Sequence, residues 1–137
     1  MSQIKVTWVQ DRTFIGTDSS NHSVVISSTK DGIGMKPSEL LLVSLGSCTG
    51  YDVVDILTKK RANITGVHVT VDGEQAGQPP NVFTKIHIHY SVTGFGIKSN
   101  DVEKAIKLSK EKYCSVSQTL EPSVEITYDF EVIEAES

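Results

Sequence analysis

PSELLLVSLGSCTGYDVVDIL, Pro37 to Leu57, is the stretch whose reading decides the fold. Pro37 suits the first position of a helix, where its missing N–H costs nothing. Ser38 and Glu39 then complement the positive end of the helix dipole. From here to about Arg61, Leu40, Leu41, Val43, Leu45, Cys48, Tyr51, Val53, Val54, Ile56 and Leu57 cover most of a helical circumference. A helix apolar nearly all round is expected to be buried nearly all round. Only its last turn, TKKR, is clearly wet, with positive charges that suit a helix C-terminus.

Cys48 lies in the middle of this run, among Gly46, Ser47, Thr49 and Gly50. Glycine in a helix interior costs about 0.5–1 kcal/mol relative to alanine, so two of them require a reason. One reason is close packing around a buried, inert thiol. The other is room for a substrate to approach the sulfur.

On the N-terminal side, Ile4 to Val9, Thr13 to Thr17 and Ser23 to Ser27 predict three short antiparallel strands, with DSSNHS as a turn whose side chains bond nearby backbone. On the C-terminal side, ITGVHVTVDGE and VFTKIHIHYSV alternate apolar and polar residues as two long strands. AGQPPN forms the turn between them. Ser99 and Asp101 open a second helix that runs to about Tyr113, with Val102, Ala105, Ile106 and Leu108 on one face. A short helical turn, SVSQTLE, and a last strand, VEITYDFEV, complete the chain. Strands at both ends around a central helix define an α+β domain. One small sheet covers only one side of that helix, so its other side calls for a partner, most simply a second copy of the chain.

The 137 residues form one expected domain, 1–137, with an ordinary composition. A net charge of −4 and the lack of a basic stripe weigh against nucleic acid. MSQIKVTWVQ reads as a strand rather than a signal peptide, and the run Leu40 to Leu45 is too short for the roughly 20 residues a bilayer requires. The expected location is therefore cytoplasmic, where thiols are kept reduced. Two cysteines there are catalytic, redox-sensing or simply buried more often than they form a static disulfide.

The second cysteine, Cys114, follows the charged run SKEKY and starts the short helical turn. Unpaired N–H groups there could stabilise a thiolate and lower its pKa, or the thiol could be an apolar contact at a helix junction. Its distance in sequence from Cys48 excludes a C-x-x-C motif and a zinc ribbon. A rival constellation is His87 and His89 on one strand face with His68 on the neighbouring strand, which could bind a metal such as zinc. No supporting carboxylate is evident there, and a solvated polar face is the simpler reading.

KPSELLLVSLGSCTGYDVVDILTKKR and KYCSVSQTLEPSVEITYDFEV resemble the two cysteine motifs of the OsmC/Ohr superfamily, the osmotically induced and organic hydroperoxide resistance proteins. WV near the start, TF-x-G, DVV-x-IL and KYCSV are similar to its YhfA-like branch. The resemblance implies an intertwined homodimer, with antiparallel sheets packed around two long central helices. It also implies a thiol-dependent peroxidase without a cofactor. Cys48 would attack a hydroperoxide and become a sulfenic acid, and Cys114 would resolve it as a disulfide. A thiol reductant, in better-known members a lipoylated protein, would reopen that bond.

In the hydroperoxide-resistance members an arginine and a glutamate activate the thiol, the glutamate lying directly after the motif proline. Ser38 holds that position here, and the carboxylate is one residue later, at Glu39. Glu39 lies about 13 Å from Cys48 along the helix and on the opposite face. It could approach a thiol only across a dimer, and it otherwise serves the helix dipole. Arg12, in the first hairpin, is the better candidate for the arginine, with a solvated turn charge as its plain alternative. Arg61 is about 19 Å from Cys48 along the helix. The reading is a peroxidase acting on organic hydroperoxides. A redox sensor or small-molecule binding protein on the same fold is the alternative, kept open by Ser38.

Overall fold

The computed structural model describes residues 2–136. The chain packs as two compact units, one ending at Leu41 and the other beginning at Leu42.

The first unit is a three-stranded antiparallel meander of β1 (Lys5–Gln10), β2 (Thr13–Thr17) and β3 (Ser23–Ile26). Asp11 takes a positive φ at the first turn, and its carbonyl accepts the Trp8 indole N–H at 2.7 Å. At the second turn the Asp18 carboxylate accepts the backbone N–H groups of Ser20 and His22, at 2.9 and 2.8 Å. This is the local side-chain bonding that the composition of DSSNHS predicts. All six residues of β1 are exposed, Trp8 to 63%. Arg12 is held against the loop after β3: its Nη2 reaches Asp31 Oδ1 at 2.9 Å and its Nε donates to Ser28 Oγ at 3.3 Å.

Helix α1 spans Pro37–Lys59. Arg61 ends it in a left-handed conformation, φ 60°, with the Ala62 N–H returning to the Leu57 carbonyl at 3.0 Å. The unbroken apolar run understates this helix. By length and composition alone it is long and apolar enough to cross a membrane. Packing accounts for part of that apolarity. Leu45, Val53 and Leu57 are fully buried in the core of the second unit, each worth about 1.5–3 kcal/mol by burial. Burial all round does not hold within one chain, because Val43, Tyr51 and Val54 are exposed, Tyr51 to 72%.

The second unit is built on β4 (Asn63–Gln75), β5 (Phe83–Phe95) and β6 (Glu125–Glu134), in the order β4-β5-β6. β5 is central, and Ile86, Ile88, Tyr90 and Val92 alternate onto the core face. The sheet is mixed rather than antiparallel, since β6 runs parallel to β5. The crossover between them makes this possible. It consists of α2 (Ser99–Leu108), a π-helical turn Ser109–Tyr113, and α3 (Ser115–Leu120). Val102, Ala105 and Ile106 of α2 complete the core.

The glycines of α1 find their reason in this packing. A Cβ on Gly46 would lie 2.9 Å from Val71 Cγ2, and one on Gly50 would lie 3.3 Å from Val69 Cγ2. They let α1 approach β4 closely, so the space they leave is filled by valine and is not room for a substrate.

Candidate functional site

Cys48 lies half-buried in the middle of α1, and Cys114 is fully buried between the π turn and α3. The fold brings these two sequence-distant free thiols near enough for Cys48 to influence the ionisation of Cys114. Burial pushes the Cys114 thiol above its ordinary value, and the neighbouring Cys48 raises it further. Cys114 is thus not the low-pKa thiol expected from its place at the start of a helical turn. The Ser117 N–H does reach Sγ, at 3.4 Å, but a single long bond to sulfur does not offset full desolvation. Cys114 is therefore a neutral thiol at pH 7.

A largely buried polar chain joins α1, β5 and the start of the π turn. Asp52 follows Cys48 by one helical turn, and its Oδ2 lies 2.8 Å from Ser109 Oγ. Ser109 Oγ is 2.9 Å from Thr49 Oγ1, which is 2.7 Å from the Tyr90 hydroxyl. Burial raises the Tyr90 phenol to about 12, so it stays protonated. Beside Thr49 and Tyr90, a cavity lined also by Ser117, Lys110 and Tyr128 has room for about one water. Sequence reasoning missed these groups. The one available signal was Asp52, a carboxylate inside an apolar helix.

The other expected site residues lie elsewhere in the chain. Arg12 pairs with Asp31 and Ser28 while its side chain stays 58% exposed. Glu39 stands in the first turn of α1, where a carboxylate complements the dipole.

The histidines do share a face, for His68 pairs with Ser91, and Thr70 with His89. The expectation that no carboxylate supports them is overturned. The parallel β6 lays Asp129 and Glu131 beside them, so that Asp129 Oδ1 bonds both His87 Nε2 and His89 Nδ1 at 2.8 Å. Glu131 Oε2 meets His89 Nε2 at 2.8 Å, and Thr127 meets His87 Nδ1 at 2.7 Å. Hydrogen bonds thus occupy both nitrogens of both rings. Among the described residues no group of three or more His, Cys, Asp or Glu side chains is arranged to hold a metal ion.

A mixed sheet, a long core helix and two free thiols, one on that helix and one on the crossover, define an α+β dithiol protein. Residues 29–129 match the OsmC-like protein family, and the chain belongs to it. It is 38% identical to protein YhfA of Escherichia coli K12 over 133 residues, which cover 97% of this chain and 99% of that one. A crystal structure from Aquifex aeolicus VF5 superposes with a TM-score of 0.89 at 32% identity, covering 99% and 98% of the two chains. The organic hydroperoxide resistance protein OhrB of Bacillus subtilis is similar in fold, with a TM-score of 0.61 at 15% identity, covering 94% of this chain and 98% of that one.

Proposed function

We propose that this protein is a thiol-dependent peroxidase that reduces organic hydroperoxides. The observation that carries the reading is that the fold sets Cys48 and Cys114, two free thiols far apart in sequence, near enough for one to shift the ionisation of the other. The Cys48 thiolate attacks the outer peroxide oxygen; the O–O bond breaks, and the alkoxide takes a proton and leaves as the alcohol. Cys48 is then a sulfenic acid. Cys114 sulfur attacks Cys48 sulfur as its proton passes to the departing hydroxide, giving a disulfide and water. A dithiol reductant, such as a lipoylated protein, restores both thiols by exchange.

Arg12 and Glu39 take the roles of the family's arginine and glutamate in this scheme, with Glu39 supplied by a second copy. The homodimer covers the exposed apolar side of α1, and the whole chain acts as one OsmC-like domain in the cytoplasm. The kinship with OhrB, named for hydroperoxide resistance, supports the reaction class. A second reading, a redox sensor or small-molecule binding protein without turnover, is favoured by Ser38 at the glutamate position and by the engagement of Arg12 with Asp31.

The test is turnover of cumene hydroperoxide with dithiothreitol by the wild type, Cys48→Ser and Cys114→Ser. The proposal expects no activity from the first variant and a dimedone-trappable sulfenic acid on Cys48 in the second. An inert wild type whose thiols still join under a disulfide-forming oxidant would favour the sensor.

A further inference from the structure

The polar chain beside the cysteines is continuous. A hydroxyl carries a single proton but can also accept. Ser109 Oγ is placed to donate to Asp52 or to Thr49, and Thr49 shares a further hydrogen bond with the Tyr90 hydroxyl. Links of 2.7, 2.9 and 2.8 Å thus join Tyr90 to Asp52. Ser109 is fully buried, and Thr49 and Tyr90 nearly so. Buried hydroxyls without partners are costly, so the chain holds as a unit.

Its placement gives it a task. Thr49 directly follows Cys48, and Asp52 lies one turn beyond Cys48 along α1, so both anchors are set in the same stretch of helix as Cys48. Ser109 opens the π turn, and its carbonyl accepts the Cys114 N–H at 2.8 Å, closing the ring of that turn. One residue thus binds α1 through its side chain and the Cys114 backbone through its main chain. Single π turns are frequent at functional sites.

We propose that Tyr90, Thr49, Ser109 and Asp52 form a clamp that holds the Cys114 turn against Cys48 and sets how fast the two thiols join. These are positioning residues, since none needs to touch a peroxide. Joining requires the sulfurs to approach to about 2.05 Å in a narrow dihedral range, so a small displacement of the Cys114 turn slows it. The peroxide-driven form of the inference rests on the peroxidase reading. The closure step itself does not.

The test compares the full-length wild type with Ser109→Ala, Thr49→Val, Thr49→Ser and Tyr90→Phe. Disulfide closure is followed in single turnover after cumene hydroperoxide, and separately after diamide, a diazene that takes up the two thiol hydrogens as it forms the disulfide. The expected result is that Ser109→Ala and Thr49→Val slow closure about tenfold more than they slow peroxide attack, in line with the loss of one net hydrogen bond. Sulfenic acid then accumulates. Thr49→Ser, which keeps the hydroxyl, restores the wild-type rate. Tyr90→Phe, which removes only the terminal hydroxyl, slows closure less and keeps the clamp testable if Ser109→Ala does not fold. Equal closure rates in wild type, Thr49→Val and Tyr90→Phe with diamide overturn the clamp. A wild type that ignores peroxide yet shows the diamide pattern overturns the peroxidase reading and leaves the clamp standing.

Discussion

At Cys114 two influences oppose each other, and burial wins. The residue caps α3 and accepts the Ser117 N–H, yet its thiol is pushed above the ordinary value by desolvation and by Cys48. Ultraviolet titration of thiolate absorbance in Cys48→Ala isolates this group. Because burial is the leading cause, Cys114 is expected to ionise above the usual thiol value of about 8.5 even without its neighbour. Ionisation below pH 8 would contradict the assignment of Cys114 as the neutral partner. The serine at position 38 was legible as a departure from the family pattern. That Asp52 lies beside Ser109 was not, because the contact joins residues on different elements.

At the scale of elements, α1 against β4 and β5 against β6 each carry a prediction. A methyl on Gly46 meets a valine branch at 2.9 Å, which cannot swing aside without changing rotamer. The helix-propensity gain of Gly46→Ala, about 1 kcal/mol, is therefore outweighed by overpacking of about 1–3 kcal/mol. Gly50→Ala, with 3.3 Å of clearance, falls nearer to neutral. Urea unfolding of both variants tests the ranking, and a stabilised Gly46→Ala would mean that α1 does not sit this close to the sheet.

Across β5 and β6, hydrogen bonds to Asp129 and then Glu131 raise His89 above 6.5, while His89 and then His87 hold Asp129 below 3.8. A raised histidine adds stability that is full below its unfolded pKa and lost as pH rises through the folded one. A lowered aspartate adds stability present above its unfolded pKa and lost as pH falls through the folded one. The ladder is thus complete between about pH 3.8 and 6.5, the two ordinary values. NMR titration should place His89 above 6.5 in the wild type and return it toward 6.5 in Asp129→Asn. An unshifted His89 in the wild type would mean the ladder does not form in solution.

For the whole molecule, the exposed apolar side chains are the feature that calls for a partner. Val6 and Trp8 on β1, and Val43, Tyr51 and Val54 on α1, stand in water in the single chain, although a helix this apolar reads as one covered on most sides. Sedimentation at micromolar concentration is expected to give twice the mass of 15.0 kDa. Tyr51→Glu, which places a charge on the open side of α1, should shift the balance toward monomer. A wild type that sediments as a monomer would remove both the dimer and the route by which Glu39 joins the site.

Local chemistry determined the elements: proline and a carboxylate at the start of α1, strict alternation in β4 and β5, and Asx bonding in the β2–β3 turn are all short-range effects that a one-dimensional reading captures. It also singled out both thiols. Only the tertiary structure decided what they meet. The crossover that sends β6 back parallel to β5 lays Asp129 and Glu131 along the histidines, and the π turn sets Ser109 on α1 and brings Cys114 near Cys48. Those contacts depend on how separate elements dock, and docking is governed by packing across the core, which leaves no periodic trace in the chain itself.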